Sequence, residues 1–305
     1  MRLQRLRFSI DELLRPQIDE IWATLRQSAD SVRGAMNLSG RDMDHYRAGL
    51  LAHAMLTLGW DLARARSVKW HVLEDASPST LRNLLLEPRS EPTIVVHQDK
   101  EGFQAVGILV PALSPEYLTE MHPDLHRHAR PAASALLLPD KTGLIEGLLS
   151  LSESDGRPAS HGRACFGVEL KRAKRLLNDW LRGLNRRLRP DDATSKRELV
   201  SAAKLSHALE VECLHQCRDV VPGWLLSYHL ERQQEARLYY SQYSIGRLLE
   251  LYESCMLALA PTQPALQCNG SDRAFERATL SLSIGARFVA SAEAVARLTR
   301  TLQAK

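Results

Sequence analysis

Thr93-Ile94-Val95-Val96-His97 is followed by Gln98-Asp99-Lys100-Glu101-Gly102 and then by Phe103-Gln104-Ala105-Val106-Gly107-Ile108-Leu109-Val110. Two β-rich runs around a polar, glycine-bearing turn predict a β-hairpin. Working outward, Val68–Leu73 and Ser134–Leu138 read as further strands, so the middle third carries a small sheet. The rest of the regular pattern is helical. Ser9-Ile10-Asp11-Glu12 is a capping box opening a helix with Leu13, Leu14, Ile18, Ile21, Trp22 and Leu25 on one face, which Pro16 kinks or restarts. A second helix is expected from about Arg41 to Arg66, with Leu50, Leu51, Ala54, Met55, Leu58 and Leu62 at helical spacing. Ser152–Ser160 reads as a polar connector. After it, helices are expected over about 163–188, from the Ser195/Glu198 capping box, from Pro222-Gly223 to just before Pro261, and from near Ser271. The expected fold class is α+β: a small central β-sheet packed by helices from both termini, with a mostly helical C-terminal half. The chain divides near residue 160, into a helical 1–160 part with a β-rich middle and a helical 161–305 part, or forms one domain.

The 305 residues are 44% hydrophobic and 25% charged, which excludes the disordered, collagen-like and coiled-coil classes. No run of about eighteen apolar residues occurs, so no membrane-spanning helix is expected. Met1–Leu14 is basic but meets Asp11 and Glu12 before any apolar run develops, unlike a secretory signal. The five cysteines, Cys165, Cys213, Cys217, Cys255 and Cys268, are odd in number and lie in the second half, so a reduced chain in the cytoplasm is expected.

The formal net charge of +4 conceals an uneven distribution. Residues 171–189 hold eight basic side chains against Asp179 alone, a local charge of +7 on a body of −3. Lys171, Arg175, Arg182 and Arg186 fall near one helical stripe opposite the leucines, with Arg172 beside them. Arginine outnumbers lysine 32 to 8, and its planar fork suits phosphate and carboxylate. These five residues are the candidate anion-binding set for a polyphosphate or a nucleic-acid backbone. A solvated helix face is the alternative. Aromatic residues do not interleave with them, which argues against single-strand stacking.

Ser160-His161-Gly162-Arg163-Ala164-Cys165-Phe166-Gly167 precedes an apolar stripe of Leu170, Ala173, Leu177, Trp180, Leu181 and Leu184. That pattern predicts the Cys165 thiol within the first turns of a helix, where the helix N-terminus and Arg163 favour thiolate. His97 is the candidate base and Glu116 the candidate orienter of its ring. A small buried hydrophobe is the alternative for Cys165, and Ser114-Pro115-Glu116 also reads as an ordinary helix start.

The order His97, Glu116, Cys165, with the cysteine ahead of Ala173-Lys174-Arg175-Leu176, resembles the YopJ/AvrRxv-type acetyltransferase effectors. Pro222, His229, Gln233, Arg237, Leu238 and Tyr240 loosely echo a downstream series of that family, and the resemblance covers about residues 90–240. Where the family has an aspartate five residues after the histidine, position 102 is Gly. The resemblance implies a bacterial effector delivered into a host cell by a type III system. It implies acyl transfer from acetyl-coenzyme A to a protein side chain, with Cys165 as nucleophile, His97 as base and Glu116 as orienter. It also implies inositol hexakisphosphate on the basic surface. A non-enzymatic regulator or adaptor that binds an anionic or protein partner through the 171–189 helix is the alternative expectation.

Two spacings suggest metal ligands. Cys213 and Cys217 sit one helical turn apart, half of a zinc site, and His122, Asp124, His126 and His128 crowd one short stretch. Structural roles or solvent exposure are the favoured reading of both. Ala48–His53 faintly resembles an HD-type phosphohydrolase helix, without the His-Asp pair that would hold its metal.

Overall fold

The computed structural model describes residues 12–33, 39–100, 102–112, 133–188, 199–228, 242–260 and 282–285. In chain order its elements are α1 (Arg15–Arg33), α2 (Gly40–Leu58), α3 (Leu62–Ser67), β1 (Lys69–Leu73), α4 (Pro78–Leu86), β2 (Thr93–Gln98), β3 (Phe103–Pro111), β4 (Ala135–Leu138), α5 (Leu144–Ser154), α6 (Leu170–Leu188), α7 (Ala202–Cys217), α8 (Val221–Leu226), β5 (Gln242–Ser244), α9 (Ile245–Leu259) and β6 (Ser283–Gly285). The class is α+β, with the sheet drawn from the middle of the chain. Among the described residues, no helix is long and apolar enough to cross a membrane.

The main sheet has the order β1-β2-β3-β4. β1 and β2 are parallel, joined by a crossover through α4, whereas β2–β3 and β3–β4 are antiparallel. Ile94, Val95 and Val96 are all fully buried, so β2 is covered on both faces and reads as a continuous apolar run instead of an alternating one. The hairpin register shifts between Val95 and Val96, a bulge in the pairing with β3. Gly107 lies there, and a Cβ on it would come within 2.7 Å of the Leu138 carbonyl oxygen. Only glycine lets β3 approach β4 that closely. Helix α4, absent from the sequence reading, is a nine-residue element capped by Ser77, whose side chain accepts from Thr80 N–H, with Pro78 in its first turn. Its length leaves little room for a periodic signal.

Helix α2 occupies the centre, packed against α1, α5, α6 and α7. Ser39 caps it by accepting from Asp42 N–H, and from Tyr46 to Leu58 every side chain is buried. Apolar and small residues on all sides are what such a position requires, which is why the helix lacks a strongly amphipathic pattern. It ends at Gly59, which takes the left-handed conformation (φ 66°) and donates its N–H to Met55 O. The single helix expected over 41–66 is therefore two, with Asp61 capping α3 by accepting from Arg64 N–H.

Other boundaries also move. The helix expected over 163–188 starts only at Leu170, and the Ser152–Ser160 connector begins inside the last turn of α5. The long helix expected from Pro222 to before Pro261 is instead α8, then β5, then α9. Tyr228 (φ 57°) turns the chain just after α8, and Ser244 caps α9 by accepting from Arg247 N–H. Helix α1 starts at Arg15, beside Pro16, so Leu13 and Leu14, expected on the face of a helix opened at Ser9, precede it in non-helical chain. Ser9, the Ser195/Glu198 box and Ser271 lie outside the described residues, and where the last helix is expected to run on from Ser271 the chain forms β6 at Ser283–Gly285.

One buried cation ties these elements together. The Arg47 side chain on α2 is only 9% exposed. Its Nε donates to Phe166 O at 3.1 Å, Nη1 to Asp44 Oδ1 at 3.0 Å, and Nη2 to Asp155 Oδ2 just beyond the end of α5. Asp44 in turn accepts from Arg172 Nη2 on α6 at 2.8 and 2.9 Å. Removing one partner of such a buried network leaves the others desolvated and uncompensated. Arg47→Ala is expected to lower stability by about 3–5 kcal/mol in urea unfolding. Arg172→Ala, whose side chain is largely exposed, should cost at most about 1 kcal/mol.

Candidate functional site

Cys165 does not sit at a helix start. It lies five residues before α6, in a segment that lines up against β1: Trp70 N–H donates to Arg163 O, Gly162 N–H to Trp70 O, and Cys165 N–H to Val68 O at 2.9 Å. Gly162 (φ 77°) and Gly167 (φ 56°) bracket this segment with turns that other residues adopt at a cost. Cys165 is thereby directed inward and is only 5% exposed. Burial pushes its thiol well above the ordinary range, opposite to the thiolate that the sequence pattern suggested. His97 stands near the other end of the strands, opposite Leu73 of β1, with Nε2 3.2 Å from Glu74 O. From Val68 to Leu73 is roughly 16 Å of extended chain. The structure does not bring the sulfur and the imidazole together. Glu116 lies outside the described residues, as do His122, Asp124, His126, His128, His229, Gln233, Arg237, Leu238 and Tyr240.

The basic helix forms as a helix with two distinct faces. Ala173, Leu177, Trp180, Leu181 and Leu184 are buried, locking one side of α6 against α2, α1 and α3. The other side carries the cations, and they divide by role. Arg172 is spent on Asp44, and Arg187 reaches Gln27 Oε1 at 2.8 Å on α1. Arg182 pairs with Asp179 in an exposed contact at 2.9 Å. Lys171, Lys174, Arg175 and Arg186 are exposed and have no hydrogen-bond or ion-pair partner among the described residues. Lys171, Arg175, Arg182 and Arg186 are offset by 4, 11 and 15 positions, so they form one row along the helix, about 22 Å long at the α-helical rise. The row presents a linear array of charge along the exposed side of the helix.

A polar site that the sequence reading passed over lies where α1, α2 and the start of α5 meet. It is a cavity of about 250 Å3, with Trp22, Leu50 and His53 in its wall and Arg26, Asp30 and Glu146 among its polar lining. His53 Nε2 is 2.8 Å from Thr142 Oγ1, and the ring meets Trp22 edge-on with centroids 4.9 Å apart. Asp140 caps α5, accepting from Leu144 N–H and Ile145 N–H. Complete burial lowers the His53 pKa to about 3, so the ring is a neutral hydrogen-bonding group. On β1, His71 stacks edge-on against His161 with centroids 4.7 Å apart, and burial together with Arg89 and His161 lowers its pKa to about 4. His53 ends the Ala48–His53 stretch that faintly resembles an HD-type helix, whereas nothing in the spacing marks His71. The partners of both become visible only when distant segments converge.

The Cys213 and Cys217 pair of α7 meets a third thiol. Cys255 of α9 places its sulfur 3.5 Å from that of Cys213. Among the described residues, no group of three or more His, Cys, Asp or Glu side chains is set to hold a metal ion. In comparisons with protein-family models, curated proteins and solved structures, nothing matches this chain.

Two outcomes follow from these environments. His53 and His71 stay neutral when folded but bind protons below about pH 6.5 when unfolded, so the unfolded state gains protons as pH falls. Stability should be full above that pH and decline toward pH 4 and then 3, by up to about 1.4 kcal/mol per unit for buried His53 and less for half-buried His71. Urea midpoints from pH 7 to pH 4 check this, and His53→Asn should flatten the profile. Separately, native Cys165 should react with iodoacetamide at least tenfold more slowly than half-buried Cys217, as read by mass spectrometry of labelled peptides.

Proposed function

We propose that this protein is a non-enzymatic adaptor or regulator that binds an extended phosphate-rich partner, the backbone of a nucleic-acid duplex, along the exposed face of α6. The single observation behind this reading is the row of Lys171, Arg175, Arg182 and Arg186, flanked by Lys174 and held rigid by the apolar side of the same helix. A duplex carries one negative charge per ~1.7 Å of axis, so a linear row of cations can meet several phosphates at once and release their counterions. A compact polyphosphate such as inositol hexakisphosphate would engage only one end of the row, chiefly Lys171, Lys174 and Arg175. The arginines supply forked donors for phosphate oxygens. Contacts to phosphates carry no sequence information, so binding along this row should depend little on base sequence.

Cysteine-dependent acyl transfer draws no support from the geometry. A thioester with acetyl-coenzyme A would need the Cys165 sulfur to be ionised and reachable, and that sulfur is buried with His97 displaced along the strands. The reading as a type III-delivered effector rests on the same resemblance and gains nothing further.

The test is fluorescence anisotropy with a labelled duplex over a range of salt concentrations. Binding should weaken linearly on a log–log plot, and Arg175→Ala plus Arg186→Ala should reduce the slope by about two. Both side chains are exposed, so the double variant should keep wild-type stability within about 1 kcal/mol. Salt-independent binding, or an unchanged slope in the variant, would sink the proposal. Tight binding of inositol hexakisphosphate without duplex binding would replace it with a compact ligand.

A further inference from the structure

Cys213 and Cys255 are both fully buried, 42 residues apart in sequence, with sulfurs 3.5 Å apart across the packed pair α7 and α9. A disulfide needs about 2.05 Å, so closure asks for a movement of roughly 1.5 Å. Two buried thiols alone would have no contact with a reagent. Cys217, one turn beyond Cys213, provides one: it is half-buried, its Sγ lies 3.0 Å from Cys213 O, and it lines a cavity of about 490 Å3 together with Asp219, Tyr243, Arg247 and Glu250. Cys165, by contrast, is buried beside β1, on a different element from these three.

We infer that Cys213, Cys217 and Cys255 form an oxidation site, in which Cys217 admits a low-molecular-weight disulfide and the Cys213–Cys255 pair retains the bond. In the first step the Cys217 sulfur attacks one sulfur of glutathione disulfide, forming a mixed disulfide and releasing one glutathione thiol. The Cys255 thiol then displaces the second glutathione from Cys217. Finally Cys213 attacks the Cys255 sulfur and returns Cys217 to the free thiol. Overall, two protein thiols give up two hydrogens and two electrons, and the glutathione disulfide leaves as two thiols. The product staples α7 to α9 across a long loop, which constrains the unfolded chain more than the folded one. Burial disfavours the Cys217 thiolate, so the first step is slow and takes millimolar reagent over hours.

The experiment incubates the native full chain with glutathione disulfide, quenches in acid, and reads free thiols and linked peptides by mass spectrometry. The expected result is a loss of two thiols from five, a Cys213–Cys255 link, and a thermal midpoint several degrees higher than that of the reduced protein. Cys217→Ser should form the link at least tenfold more slowly. Cys255→Ala should stop at a stable glutathione adduct on Cys217, and Cys213→Ala, the check where Cys255→Ala does not fold, should stop one step later at a Cys217–Cys255 link. A lasting adduct on Cys217 in the unaltered protein, a link formed equally fast in Cys217→Ser, or no loss of thiols would each overturn the inference.

Discussion

A guanidinium buried beside a central helix organises this molecule. Arg47 leaves water only because its donors are matched: Asp44 on its own helix, Asp155 beyond α5, and the Phe166 carbonyl in the segment leading to α6. Desolvating that charge costs several kcal/mol, and the return comes only when all three partners are in place. The network therefore specifies an arrangement more than it adds stability. It orients the end of α5, the turn through Phe166 and, through Asp44 and Arg172, the first turn of α6 around α2. With that turn set, the basic face of α6 has a defined direction.

Helix α6 shows how one element can serve the core and the surface together. Its 3.6-residue repeat sends Leu177, Trp180 and Leu184 inward and Lys171, Arg175 and Arg186 outward. The flanking cations Arg172 and Arg187 are drawn into contacts with α2 and α1, so the local charge of the 171–189 segment overstates what is available to a partner. What remains is a narrower row with a fixed spacing along the helix, and on that spacing the proposed extended partner rests.

Much of the sheet was legible from residues alone. The Thr93–Val110 hairpin, the strand at Val68–Leu73 and the strand near Ala135 are local patterns, carried by short apolar or β-branched runs and one glycine turn. The basic face was legible for the same reason. Helix α4 was too short to show a period, and the break at Gly59 was masked by leucines that continue the pattern across it. Cys165 misled because Gly162 and Gly167 turn its segment onto β1, a pairing between residues nearly a hundred positions apart that no local repeat encodes.

By itself, then, the amino-acid sequence determined the α+β class, the hairpin and the amphipathic, arginine-rich face of α6, because each depends on neighbours within one or two turns or strands. Tertiary structure alone decided that Cys165 is buried and distant from His97, that His53 meets Thr142, and that Cys255 meets Cys213. Those meetings depend on how α2 is enclosed, and side chains carry no local sign of which distant segment will close over them.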